Sequence, residues 1–276
     1  MIIGNWNRRK STAVLIAVSV LLLAGVMTAG ILLSGQAMET DFSRKNEAPS
    51  AAFLFGTDWM GRDMLARTLT GLSLSIRIGL LTAAVSSVLA LLLGIAAATL
   101  GRKADAVISW AIDLCMGIPH ILLVMLISLA FGKGFAGVVA GVSLSHWPSL
   151  ARVIRSEVLQ LRQAPYVLTA EKLGVSRLRI ARRHIFPHLL PQFLTGLILQ
   201  FPHAILHEAS ITFLGFGLPP EQPAIGVILS ESMRYLTTGK WWLAVFPGLS
   251  LVLVVMLFAV TGNCLRRLAD PASAHQ

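Results

Sequence analysis

Six of the seven histidines in this 276-residue chain lie in or beside apolar stretches or in one basic segment: His120, His146, His184, His188, His203 and His207. His203 and His207 are four residues apart and share one face of a helix, with Glu208 next to that face. Imidazole suits nickel, copper, zinc and iron, whereas carboxylates suit harder ions. Such a set is costly in a bilayer unless it faces a water-filled path or finds partners. Two outcomes stay open: each ring bonds a nearby carbonyl or side chain, or the pair lines a pathway. Asp113 and His146, each inside another apolar run, pose the same alternative. His184 and His188 sit in the basic segment and are expected to bond locally. A conduit must release its cargo, which argues against a tight metal site, and none is assigned.

Other chemistry is poorly supplied. His207-Glu208 is followed by Ala209, Ser210 and Ile211, so the second histidine of HExxH is missing. Gly132-Lys133-Gly134 and Gly239-Lys240 lack the glycine spacing and hydroxyl of a phosphate-cradling loop, so any ATP must be hydrolysed by another chain. Cys115 and Cys264 are far apart in apolar runs and read as small buried hydrophobes. A secondary transporter would show inverted repeats and mid-membrane carboxylates. No internal repeat is evident, and only Asp113 and Glu208 could serve.

The elements that must position these residues are set by the solvent. Hydrophobic residues make up 55% of the chain and charged residues 13%, against roughly a quarter charged in a soluble domain. A bilayer core needs about 20 apolar residues per helix. Six spans fit: Ser11–Leu33, Leu74–Leu100, Ala106–Phe131, Phe135–Val153, Leu189–Leu214 and Trp241–Leu265. The first follows Arg8-Arg9-Lys10 but exceeds the roughly 7–15 residues of a signal h-region, so it reads as a retained helix. The fourth is expected to break at His146, Trp147 and Pro148. With the N-terminus in the cytoplasm, 15 of the 23 lysines and arginines fall inside and eight outside. That bias puts both termini in the cytoplasm and accounts for the net charge of +10 without a nucleic acid.

Three connections are longer than hairpins: 34–73 outside, 155–188 inside and 216–240 outside. In the inside segment Pro165 suits a helix's first turn, Tyr166 to Lys172 its body and Gly174 its stop. Ser176 can cap a second helix carrying Arg177, Arg179, Arg182 and Arg183, closed by Pro187. On charge alone this is either a basic element lying on anionic lipid or a docking element.

The stretch YVLTAEKLG…RHIFPHLLP resembles the coupling loop of ATP-binding-cassette importer permeases. Ala170 matches the second Ala of that pattern, Gly174 its Gly and Pro187 its Pro, with Tyr166 and Glu171 inside the same stretch. Leu168 stands where Glu is expected, Thr169 at the first Ala, His184 at the Ile and Phe186 at the Leu. GTDWMGRDMLARTLTG resembles the signature of the dipeptide, oligopeptide and nickel permeases through Gly56, Thr57, Asp58, Gly61, Arg62 and Asp63. Leu206–Pro220 resembles the end of that family's fifth helix, and Asp270-Pro271 its tail. Ser145-His146-Trp147 and His207 look more like nickel permeases than peptide ones.

The resemblance implies an all-α, six-span membrane protein with the type I importer permease fold. Residues 1–73 would form an N-terminal helix and periplasmic segment, and 74–270 the permease domain. It implies half of a path for nickel, free or chelated, with dipeptides or oligopeptides as the alternative. Asp113, His146, His203, His207 and Glu208 would line the path, and Tyr166, Ala170, Glu171, Gly174 and Pro187 would couple it to the ATPase. The implied partners are a second, different permease, two cytoplasmic ATPases holding ATP and magnesium, a periplasmic or lipid-anchored solute-binding protein, and lipid of the bacterial inner membrane. This chain would bind no cofactor of its own.

Overall fold

The computed structural model describes residues 8–269; the Asp270-Pro271 pair lies outside the described residues. Ten helices follow in order: α1 (Arg8–Leu32), α2 (Met64–Thr99), α3 (Arg102–Gly117), α4 (His120–Ala130), α5 (Phe135–Arg162), α6 (Pro165–Lys172), α7 (Arg177–Ile180), α8 (Phe186–Phe213), α9 (Ile225–Leu236) and α10 (Trp242–Ala269). Among the described residues there is no strand, only an isolated bridge between Thr57 and Asp63.

By length and composition α1, α2, α8 and α10 can each cross a bilayer, and the bent α3–α4 pair counts as a fifth when its two halves are taken as one span. α5 is long enough at 28 residues. Its second half carries Arg152, Arg155, Glu157 and Arg162, which lower its hydropathy. The expected six spans are met only when α5 is included. The expected boundary at residue 73 falls within α2, which starts at Met64 because the Asp63 carboxylate accepts from the Leu65 amide at 2.8 Å.

Two spans differ from expectation. The third, Ala106–Phe131, is two helices meeting at 105°. Pro119 disfavours helical backbone at the residue before it, and Ile118 is extended at φ −91°, ψ 135°. The fourth does not break: α5 runs unbroken through His146, Trp147 and Pro148. Packed neighbours on several sides hold a proline-containing helix that isolated sequence would interrupt.

α2 and α5 cross at the centre, with α8 packed on both. α1 and α10 cover one side of α2 and α8, α4 lies along α5, and α9 closes the outer end against α8 and α10. Small residues set the spacing, as expected where lipid supplies no hydrophobic drive between helices. A Cβ on Gly94 would sit 2.8 Å from the Ala151 carbonyl oxygen, and one on Gly79 would sit 2.5 Å from Ile205. Polar groups are satisfied between helices: Thr70 donates to the Gly30 carbonyl at 3.0 Å and Ser87 to Gln200 at 3.3 Å. Leu21 and Leu32 of α1, Leu92 of α2 and Leu249 and Met256 of α10 face outward, as a lipid-facing surface requires.

The α2–α5 crossing gives the first prediction. Gly94→Val should cost about 1–3 kcal/mol, the usual penalty for overpacking. Thermal unfolding of the detergent-solubilised protein reads it. Gly25→Val, at a position with open space around it, should leave the melting temperature unchanged.

Candidate translocation site

Three of the histidines meet. His120 opens α4 immediately after Pro119, His146 stands midway along α5, and His207 lies on α8. Their ring centroids are 4.6 Å apart for His120–His146, 4.4 Å for His120–His207 and 5.0 Å for His146–His207. A ligating nitrogen from each lies within 4.8 Å of the others. The His146 ring is oriented by its own helix, with Nδ1 2.8 Å from the Val142 carbonyl oxygen. A carbonyl only accepts, so Nδ1 carries the proton and Nε2 keeps its lone pair. Nε2 of His120 and Nε2 of His146 are buried and have no hydrogen-bond partner.

His120 and His146 join His207 of the expected His203/His207 pair. His203 shares the helix but is exposed, while His207 turns towards α4 and α5. Glu208 is 0% exposed and takes a hydrogen bond from Thr212 at 3.1 Å, beside Ser75 of α2. It belongs to the α2–α8 packing, away from the rings. His120 was missing from the expected pathway set. Its signal was local: a histidine next to the proline that breaks an apolar run.

A cleft of about 500 Å³ opens between the α3–α4 break and α5. Cys115, Met116, His120, His146 and Ser149 line it. Two residues before Cys115 on α3, Asp113 pairs with Arg152 of α5 at 2.7 Å, and their side chains are 71% and 52% exposed. An ion pair on the outer face of membrane helices belongs against another protein or a watered path rather than lipid. A second clip joins the same helices: Arg155 grips both oxygens of Asp105, with Nη2 at 2.7 Å from Oδ2.

On the outer side, the glycine-rich signature is a scaffold. Gly56 and Gly61 have φ of +71° and +77°, the left-handed region that favours glycine. The Thr57 hydroxyl donates to the Arg44 carbonyl and accepts from the Glu47 amide. Asp58, 3% exposed, accepts from the Met60 and Arg62 amides, from Arg62 Nε at 2.7 Å and from Arg67. Arg67, 2% exposed, also reaches Glu231 of α9 at 3.1 Å. Two guanidiniums and two carboxylates therefore balance, and they tie the outer segment to the start of α2 and to α9. Sequence reading missed Arg67 and Glu231. Beside this cluster lies an outer cavity of about 740 Å³, with Trp59, Lys133, Arg234 and Tyr235 on its wall.

On the other side, α6 starts with Pro165 at its first position. Gly174, φ +76°, ends the turn, with its amide donating to Glu171 and the Val175 amide to Ala170. Val167 is buried in one apolar cluster with Val158, Ile180, Ile185 and Leu189. Tyr166, Leu168, Glu171 and Leu173 are left exposed. Pro187 does not close the second helix as expected. It is the second residue of α8, and α7 runs through a π turn at Ala181–Ile185 directly into α8.

The model of binding-protein-dependent transport system inner membrane components matches residues 90–275. The chain belongs to this family. A permease of Brucella suis biovar 1, provisionally named for peptide transport, is 34% identical over 264 residues, covering 96% of this chain and 88% of that protein. Dipeptide transport system permease proteins DppC of Alkalihalophilus pseudofirmus and Bacillus subtilis are 32% and 29% identical, each covering 96% of this chain and 86% and 84% of their own length. Among solved structures, the inward-facing MetNI methionine transporter superposes with a TM-score of 0.60 at 17% identity, over 75% of this chain and 98% of that one. The protein is an ATP-binding-cassette importer permease, a multi-pass inner-membrane subunit and not an enzyme. Permeases of this kind work with a second permease, ATPase subunits and a solute-binding protein.

The outer ion cluster gives the second prediction. Asp58→Asn leaves two buried guanidiniums to share the single carboxylate of Glu231 and should cost about 3–5 kcal/mol. That loss would appear as a lower melting temperature and less protein in the membrane on immunoblots. Asp41→Asn breaks an exposed pair with Arg44, keeps an amide oxygen to accept from the Ser43 amide, and should change stability by less than about 1 kcal/mol.

Proposed function

We propose that this permease forms half of an import path for short peptides. The observation that carries the reading is the match, over nearly the whole chain, to permeases named for peptide and dipeptide transport. Nickel was favoured from Ser145-His146-Trp147 and His207, a resemblance of a few residues. Identity extending across more than nine-tenths of the chain outweighs it.

In this reading the chain pairs with a second, different permease, and both termini lie in the cytoplasm. Two ATPases bind ATP and magnesium and dock on α6 through Tyr166, Leu168 and Leu173, whose side chains are 47%, 43% and 77% exposed. ATP closure pushes α6. The buried seat of Val167 and the unbroken path from α7 to α8 pass that push to the helix carrying His207. A solute-binding protein delivers peptide at the outer face. Asp113, paired with Arg152, faces the partner permease or the path.

Two measurements test this. Uptake of a labelled dipeptide by cells carrying the whole transporter should require this chain and be blocked by excess unlabelled dipeptide. Nanomolar nickel uptake that needs the chain and ignores dipeptide would instead restore the metal-cargo reading. Gly174→Asp places a side chain at φ +76° on the docking surface and should abolish uptake while the protein still reaches the membrane. Normal uptake by this variant would remove the coupling role from α6.

A further inference from the structure

Beyond peptide transport, we propose that His120, His146 and His207 form a binding site for a divalent transition-metal ion of borderline softness, such as nickel, cobalt, copper or zinc. The donors come from three helices, so no local sequence constraint gathers them; only the packing of α4, α5 and α8 does.

A ring nitrogen left without a partner in a membrane bundle is costly. Here Nε2 of His120 and Nε2 of His146 are buried without one. The Val142 carbonyl on Nδ1 of His146 leaves Nε2 as an unprotonated donor. A backbone carbonyl on the far nitrogen is the usual support for a metal-bound imidazole. Imidazole nitrogens bound at about 2.05 Å to one tetrahedral ion stand about 3.3 Å apart. The three now lie no more than 4.8 Å apart, a gap that modest ring rotations close.

The surroundings fit an exchangeable ion. Three neutral rings leave the ion's double charge unbalanced by the protein, which weakens binding. Asp113 is engaged with Arg152, and Glu208 is buried in the α2–α8 packing. His120 and His146 line the cleft that also exposes Cys115 and Met116. A coordination position on that side is open to water or to a small nitrogen or oxygen ligand, and the sulfur-bearing wall favours softer cations over magnesium or calcium.

The test uses the purified whole transporter, without a polyhistidine tag, in lipid nanodiscs. Equilibrium dialysis against nickel ion should find one equivalent per copy of this chain, and cobalt substitution should give visible ligand-field bands. His146→Ala and His207→Ala should each weaken nickel binding at least tenfold and erase the cobalt bands. His184→Ala should change neither. His146→Asn, checked for an unchanged melting temperature, separates ligand loss from unfolding. No nickel equivalent on the wild-type transporter, or equal binding by the His146 and His207 variants, overturns the site. Dipeptide uptake by the same preparations reports separately on cargo: failed uptake with intact nickel binding counts against the peptide reading and leaves the metal site standing.

Discussion

No water reaches the bilayer core to rescue an unmet polar group, and that constraint organises this molecule. Polar side chains in the spans are spent on contacts between helices, as with Thr70 on the Gly30 carbonyl, Ser143 on the Thr82 carbonyl and Ser87 on Gln200. Charges are paired: Asp58 and Glu231 with Arg62 and Arg67, Asp105 with Arg155, Asp113 with Arg152. Close backbone approach at Gly79 and Gly94 makes many of these bonds geometrically possible. Buried atoms without a partner remain at Ser75, Ser86, Gln200 and Glu208, and two more, Nε2 of His120 and Nε2 of His146, belong to one three-ring cluster.

The same constraint explains how one end of the chain can move the other. α6 is held to the bundle by a buried apolar cluster that includes the last turns of α5 and the start of α8. Between α6 and α7 lies a four-residue turn, 173–176, with Gly174 at φ +76°. α7, the π turn and α8 follow one another without a gap. Such a run behaves as a lever. In the proposed mechanism a push on α6 would be delivered to α8, and through His207 to the cleft between α4 and α5, while the ion cluster of Asp58, Arg62, Arg67 and Glu231 holds the opposite end of the bundle together.

Much of this was legible in the sequence because it rests on local signals. Low charge and runs of apolar residues announce a membrane bundle. Pro165 and Gly174 bracket α6 as their backbone preferences require. Gly56 to Asp63 reads as a tight turn, and the structure shows the reason in its positive φ values and the Asp58 hydrogen bonds. The misreadings were local too. Pro119 was taken to lie inside one span, yet it bends the chain by 105°. Pro148 was taken as a break, yet α5 passes through it. A proline's effect depends on whether neighbouring helices hold the segment straight, and no single window of sequence contains that information.

The sequence by itself determined the solvent, the approximate spans, the docking segment and the membership in a transport family, since hydropathy, turn chemistry and motif spacing are written within a few tens of residues. Only the tertiary structure decided which charged and imidazole groups meet. Arg67 finds Glu231 164 residues away, Asp113 finds Arg152 39 residues away, and His207 meets His120 and His146. These meetings follow from the angles at which helices cross. Those angles are set by side chains and glycines on both partners at once, so they exist only after the chain has packed.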